Sequence, residues 1–471
     1  MQLRKEQGAT VPEAGAGCEA KNDSLRSPFL SACRYDKVSR VKRKSGPTET
    51  WKVTALGGQG HLVTESPDAK TVHLSNPSVV VLKSGRIIVS VDQAGPGIKG
   101  LRGAKDRNPV TGRYTQGIAL TSNDKGESWQ ERERFPFGHA RVFRDGSRIY
   151  ILGHKGSIQV MKSPNGGETW ERPASLTRND DVDVTLGPAN VLSAGGHIYT
   201  VFMTNTDTSY RGEPASVLAP VVLRAAAESS LTQARSWTRS DGMNSFGALV
   251  PHDELKHFGV PFYHVSNPRH GEDLGKGRWV NRVGWQDSHL LHITDPRHAW
   301  HDASGKTLHI VARAHTHRGN YAAVARVTVE EDGRMSLAAQ QTPAGTAWTF
   351  IPLPGGSRHF SLLYDPPSER FWLLSNDIRD SMTDPLSGGS GVPCDRRGPL
   401  ILSFSKNLVD WSFAGCIDSG GEGWGIAHRP HMETHGEQLV VVARAIRREG
   451  KGQRTDAIRC WTIPTFRELL Y

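Results

Sequence analysis

Two sets of acid–base and cationic side chains recur at the edges of short apolar runs. The first set closes such runs: Asp92 ends Arg86-Ile-Ile-Val-Ser-Val-Asp92, His154 follows Arg148-Ile-Tyr-Ile-Leu-Gly153, Arg313 ends Thr307-Leu-His-Ile-Val-Ala-Arg313, and Arg444 ends Gln438-Leu-Val-Val-Val-Ala-Arg444, with Asn205 and Asn376 in matching places. The second set opens them: Ser75 and Asn76, His139, Asp287 with His289, Arg358 with His359, and His428 with Arg429. Carboxylates and imidazoles move protons near neutral pH, and a guanidinium grips a carboxylate through paired N–H donors. Proton transfer is therefore expected of Asp92, His154 and Asp287, and anion binding of His139, Arg313, Arg358, His359, His428, Arg429 and Arg444. No metal or cofactor is expected. His309, His315 and His317 alternate as on a strand but have no carboxylates at ligand spacing, and neither GxGxxG after a strand nor GxxxxGK[ST] occurs.

These residues are placed by a repeated hairpin. The unit is Asn76-Pro-Ser-Val-Val-Val-Leu82, a turn at Lys83-Ser-Gly85, and Arg86 to Asp92. Apolar runs of this length suit strands buried on both faces. Five further pairs turn at Asp145-Gly146, Gly195-Gly196, Ser304-Gly305, Pro366 to Glu369 and His435-Gly436. Most pairs are followed by a third strand and a turn ending in Trp, as at Trp129, Trp170, Trp237 and Trp411. Six units of four short strands predict an all-β chain folded as a six-bladed β-propeller over residues 50–471, with Thr50-Trp51-Lys52-Val53 as candidate closing strand of the last blade.

Two of the Trp turns match in detail: Ser122-Asn-Asp124-Lys-Gly126-Glu-Ser128-Trp129 and Ser163-Pro-Asn165-Gly-Gly167-Glu-Thr169-Trp170, 41 residues apart. Asp or Asn accepts backbone N–H groups in such a turn, and Gly takes the positive φ. This pattern resembles the Asp-box of the sialidase (BNR/Asp-box) propeller superfamily. The resemblance implies a structural role for Asp124 and Asn165 on the face opposite the active site. It also implies glycosidase chemistry at an acidic sugar, with a loop-borne acid near Asp106. The family's Arg-Ile-Pro arginine, which grips the sugar carboxylate, is replaced: Ser75 precedes Asn76-Pro77 here. Three functions follow as expectations: hydrolysis of a glycosidic bond at a sialic or uronic acid, polysaccharide lyase action with His154 or His139 as base, or glycan or protein binding without catalysis.

Strand order selects a face. In each blade the first-to-second and third-to-fourth turns share one face, and these are tight. The long segments 93–114, 204–218, 240–282 and 378–398 fall on the other, where a rigid scaffold usually carries function. Tyr364, tempting as the family's nucleophile, falls on the tight-turn face and is set aside.

Composition bounds the rest. The 471 residues include 50 Gly, 27 Pro and 12 Trp, with 37% apolar residues, which supports a large packed core and excludes collagen-like or Pro/Gly-rich disordered chains. No apolar run approaches the roughly 18 residues of a membrane span. Residues 1–49 read as a disordered basic tail: positions 1–50 hold ten Lys/Arg against six Asp/Glu, and so account for +4 of the net charge of +10. Five cysteines, an odd number without CxxC spacing, argue against a complete disulfide framework or thiolate zinc. No apolar signal segment follows Met1, so an intracellular, monomeric protein is expected, with an acidic glycan as partner and neither nucleic acid nor membrane.

Overall fold

The computed structural model describes residues 55–107, 112–177, 184–210, 214–241, 244–249, 283–315, 319–342, 344–345, 347–378, 398–448 and 454–471. The expected tail, 1–49, and the segment Thr50 to Val53 lie outside the described residues.

Six antiparallel sheets follow one another along the chain. Blade 1 runs His73–Val81, Ile87–Ala94, Tyr114–Ser122 and Gln130–Phe135, and blade 2 runs Gly138–Asp145, Arg148–Lys155, Ser157–Ser163 and Ala174–Ser175. Blade 3 has its first strand in two pieces, Val184–Leu186 and Val191–Ala194, both paired to His197–Asn205, followed by Leu218–Ala226 and Trp237–Arg239. Blade 4 comprises Gly284–Leu291, Thr307–His315, Tyr321–Val329 and Met335–Gln341, with short additions at Ala347–Trp348 and Phe350–Pro352. Blade 5 is Ser361–Asp365, Arg370–Asn376, Leu400–Ser405 and Ser412–Asp418. Blade 6 takes His428–His435, Gln438–Arg448 and Arg454–Ile463 from the end of the chain. His61–Glu65 pairs antiparallel with Arg454–Ile463 and closes this blade, in the role expected of Thr50 to Val53.

The β-branched runs of the first three strands are buried because both faces of each sheet meet a neighbouring blade. Val79, Val81, Ile87, Val89 and Val91 of blade 1 pack with Val440, Val442, Ile458 and Cys460 of blade 6. Val80, Ile88 and Ala119 pack on the other side with Val142, Ile149 and Ile151 of blade 2. The third-to-fourth turns are held by their own side chains. Asp124 accepts the Ser128 N–H at 3.0 Å, Ser122 Oγ accepts Gly126 N–H at 2.8 Å, and the Trp129 indole donates to Gly126 O at 2.9 Å. The second turn repeats this, Ser163 Oγ accepting Gly167 N–H and Asn165 Oδ1 accepting Thr169 N–H. Those hydrogen bonds stabilise the charged form of Asp124 and hold its carboxyl far below the ordinary carboxylate range.

Candidate functional site

The opening of the first strand is irregular in four blades. Register breaks between Ser75 and Ser78, Gly138 and Arg141, Gln286 and Ser288, and His428 and His431. Each break encloses a non-glycine residue at positive φ: Asn76 at 46°, His139 at 49°, Asp287 at 43° and Arg429 at 54°. A bulge turns a side chain out of the pleat, and a left-handed residue with a Cβ costs about 1 kcal/mol or more, so such positions concentrate at functional sites. In two of them proline follows, at Pro77 and Pro430, where the ladder needs no donor.

The four bulges deliver their side chains to one place. Asn76, His139, Asp287 and Arg429 line a cavity of about 250 Å3 together with Arg141, Arg313 and His359. A smaller recess, about 50 Å3, adjoins it and is bounded by Arg313, Arg358, His359, Asn376, His428 and Arg429. Asp287 Oδ2 lies 2.9 Å from Arg313 Nε and 3.1 Å from His359 Nδ1, with both Asp287 and His359 side chains about one-fifth exposed. Across the cavity Arg429 Nη1 donates to Asn76 Oδ1 at 3.0 Å, and Asn76 Nδ2 donates to Asp92 Oδ2 at 2.8 Å.

Burial is the main influence on the imidazoles. It holds His359 well below the ordinary imidazole range, and the Arg313, Arg429 and Arg141 guanidiniums press the same way. Burial also lowers His139, against the opposing charges of Asp92 and Asp287. Both rings are thus neutral near neutral pH. Cations outnumber carboxylates: Arg141, Arg313, Arg358 and Arg429 meet Asp287, which is the carboxylate lining the cavity among the described residues. The arrangement can hold an anion and pass a proton through an imidazole that lies beside a carboxylate.

Three expected site residues do other work. Asp92 lies behind the cavity: buried, it accepts His139 N–H at 2.7 Å and Ala140 N–H at 3.3 Å besides the Asn76 amide, so it satisfies the backbone freed by blade 2's bulge. Burial raises its carboxyl, against His139 and these hydrogen bonds. His154 is packed edge-on to His139 with ring centroids 4.9 Å apart, and does not line the cavity. Burial holds it neutral, with His139 a lesser cause. Arg444 does not reach either recess, because Asp456 holds its Nη2 at 2.7 Å. Arg313, His139, Asp287, His359, Arg358, His428 and Arg429 are brought together around the two recesses. Arg141 was not anticipated: its guanidinium donates to Ala189 O at 3.1 Å and Asn76 O at 3.3 Å, tying blades 1, 2 and 3 at the channel. The signal was available, since a cation two residues after His139 interrupts an otherwise apolar first strand. Asp106, half-buried in the blade 1 loop and with its carboxyl raised by burial against Lys155, does not line the cavity either. Tyr364 borders a different cavity, among the tight turns.

Fold and site together define a six-bladed β-propeller with a cationic, imidazole-bearing mouth. No protein-family model and no curated protein matches the chain. Among solved structures it is similar to a protein of unknown function from Dyadobacter fermentans, at 13% identity and TM-score 0.46 over 84% of this chain and 96% of that one. It is also similar to the intramolecular trans-sialidase of Ruminococcus gnavus in complex with oseltamivir carboxylate, at 9% identity and TM-score 0.46 over 87% and 98%. The α-L-arabinofuranosidase of Fusarium graminearum in complex with an iminosugar inhibitor follows, at 8% and 0.43 over 85% and 97%.

Proposed function

We propose that this protein is a carbohydrate-active enzyme that cleaves a glycosidic bond at an acidic sugar, a sialic or uronic acid. The observation that carries the proposal is the convergence of Asp287, Arg313, His359 and Arg429, from three successive blades, on one cavity. In this reading the sugar carboxylate lies on Arg429 and Arg358, and the His359–Asp287 pair moves the proton. Arg429 and Arg358 then take the place of the arginine that Ser75 lacks.

Hydrolysis is one route, with His359 taking a proton from water that attacks the anomeric carbon. Elimination at a uronic acid is the second, and a specific observation favours it. Hydrolysis usually employs two carboxyl groups about 5 to 10 Å apart. Among the described residues one carboxylate lines the cavity, and it is already against Arg313. Elimination requires a base beside a cation that neutralises the sugar carboxylate, which is what His359 and the arginines offer.

The test is to incubate the protein with sialosides and uronate-containing oligosaccharides, following new reducing ends and the absorbance of a new C=C bond. Cleavage confined to carboxylate-bearing substrates, and lost when the carboxyl is reduced to an alcohol, is the expected result. Reducing ends without absorbance identify hydrolysis, and both signals together identify elimination. Neither signal on any substrate overturns the enzymatic reading and leaves glycan binding.

A further inference from the structure

The two cavity imidazoles have Nδ1 partners of opposite character. His139 Nδ1 lies 3.0 Å from Gly187 N and accepts that backbone N–H. A nitrogen that accepts carries no proton, so neutral His139 holds its proton on Nε2. His359 Nδ1 lies 3.1 Å from Asp287 Oδ2, a close ion-pair contact outside hydrogen-bond geometry; a nitrogen lone pair facing a carboxylate at that distance is repelled, so neutral His359 favours its proton on Nδ1 and leaves the Nε2 lone pair open. No described residue hydrogen-bonds to Nε2 of either ring, and both rings line the same cavity.

We propose that the site is built from two imidazoles locked in opposite tautomers: His359 is the base that takes the substrate proton, and His139 is a fixed hydrogen-bond donor that does not change protonation. The proposal rests on the reading of the cavity as an acidic-sugar site, and it assigns separate duties within it. Asp287 and the Gly187 backbone are the positioning groups. Blade 2's bulge is kept in place by Asp92, which holds the His139 and Ala140 N–H groups, so Asp92 positions the donor without touching substrate.

For a uronate the step balances with one base. His359 Nε2 takes the proton on the carbon next to the carboxylate, and the C–H electron pair becomes the new C=C bond. The bond from the neighbouring carbon to the glycosidic oxygen breaks with its pair on that oxygen, which receives the proton from His359. Charge gathers meanwhile on the carboxylate oxygens, where Nε2–H of His139 and the arginine N–H groups stabilise it.

Tautomers are read directly by long-range 1H–15N correlation NMR on protein labelled with 15N-histidine at neutral pH. The spin system lost in His139→Gln should show a protonated Nε2 and bare Nδ1; the one lost in His359→Gln should show the reverse. Asp287→Asn provides a second identification, because losing the negative charge and gaining an NH2 that can donate to Nδ1 should move the His359 pattern toward the Nε2-protonated form and leave His139 unchanged. The same tautomer in both rings, or an imidazolium in either, overturns the proposal. Because this readout needs no turnover, opposite tautomers in an inactive protein would refute the enzymatic reading while the assignment stood. Where activity is found, added imidazole should restore at least tenfold of the loss in His359→Gly and none in His139→Gly, since a diffusible base can replace a base but not a fixed donor.

Discussion

The central channel has a cavity at each end, and the larger one spreads its charged groups and imidazoles through a mostly apolar wall. The cavity on the tight-turn face, about 640 Å3, is bordered by apolar residues such as Val80, Val142, Leu290, Leu362 and Met432, with Lys83, Arg141, His292 and His431 dispersed among them and Arg144 and Glu433 paired at 3.5 Å; Arg141 borders both cavities. The mouth cavity on the loop face is less than half that size and contains three arginines, two imidazoles and a carboxylate. The same first strands border both ends. They differ in backbone: near the tight turns the strands pair in regular register, while at the mouth four of them bulge and place a non-glycine residue at positive φ. Strain, more than volume, marks where side chains are aimed.

The sharpest way to break this contrast is at the mouth. His359→Gln should lower kcat by about 10^3-fold, in the range of lost general-base catalysis, with the fold retained by circular dichroism. A variant within tenfold of wild type would remove the base from the assignment. Arg429→Ala should raise KM for a carboxylate-bearing substrate by about tenfold to a hundredfold, because a charge-assisted contact and the Arg429–Asn76 hydrogen bond are lost together. An unchanged KM would place the carboxylate elsewhere.

Asp92→Ala tests support instead of chemistry. It leaves the His139 and Ala140 N–H groups buried without their acceptor, at about 1 to 3 kcal/mol for an unsatisfied group, so unfolding should shift measurably in urea. Its kcat should fall with this loosening, while the conservative Asp92→Asn recovers more activity than Ala. Equal stability of Asp92→Ala and wild type would contradict the positioning role.

The two ends should also answer pH in opposite senses. Burial presses His289, on the mouth side beside Arg141 and Asp287, from 6.5 to about 3. The unfolded chain then binds more protons below pH 6.5, so this group's contribution to stability is complete above 6.5 and is lost as pH falls toward 3. Burial raises Glu433 at the other end from 4.5 to about 7, against the pull of Arg144. Its contribution is complete below 4.5 and is lost as pH rises to 7. Thermal melts of His289→Gln and Glu433→Gln across pH 4 to 8 should flatten opposite limbs. The smallest effect of all belongs to Glu433→Gln on turnover, expected within about twofold at neutral pH; a larger loss would bring the tight-turn end into the reaction.

Much of the architecture was legible because its causes are local. Gly195-Gly196, Asp145-Gly146 and the eight-residue turns ending at Trp129 and Trp170 contain their own hydrogen-bond partners, so the hairpins and their number could be counted in the chain. The closing strand could not: His61-Leu-Val-Thr-Glu65 is an ordinary polar–apolar pentamer whose partner lies almost 400 residues away. At the site, both rings of polar residues were visible but could not be ranked. Asp92 and Asp287 each end or interrupt an apolar strand, and what separates them is distant: Asp92 faces backbone N–H groups 47 and 48 residues on, Asp287 faces a cavity. Positive φ at Asn76, His139, Asp287 and Arg429 leaves no sign in residue type, as it would at glycine. Arg141 did leave a sign, a cation within an apolar strand, but its role could not be read there because its acceptors include carbonyls of other blades.

The pairing of His61–Glu65 with Arg454–Ile463 sets the order in which this molecule can be completed. On a ribosome the closing strand is made before any blade, and its partner is made after all the others. Blades 1 to 5 can form as they emerge, but the ring stays open until Arg454–Ile463 has been made, with one strand edge unsatisfied throughout. Ring closure is therefore a late and long-range event, and clipping the chain between His61–Glu65 and blade 1 would turn that strand from a tethered segment into a separate ligand.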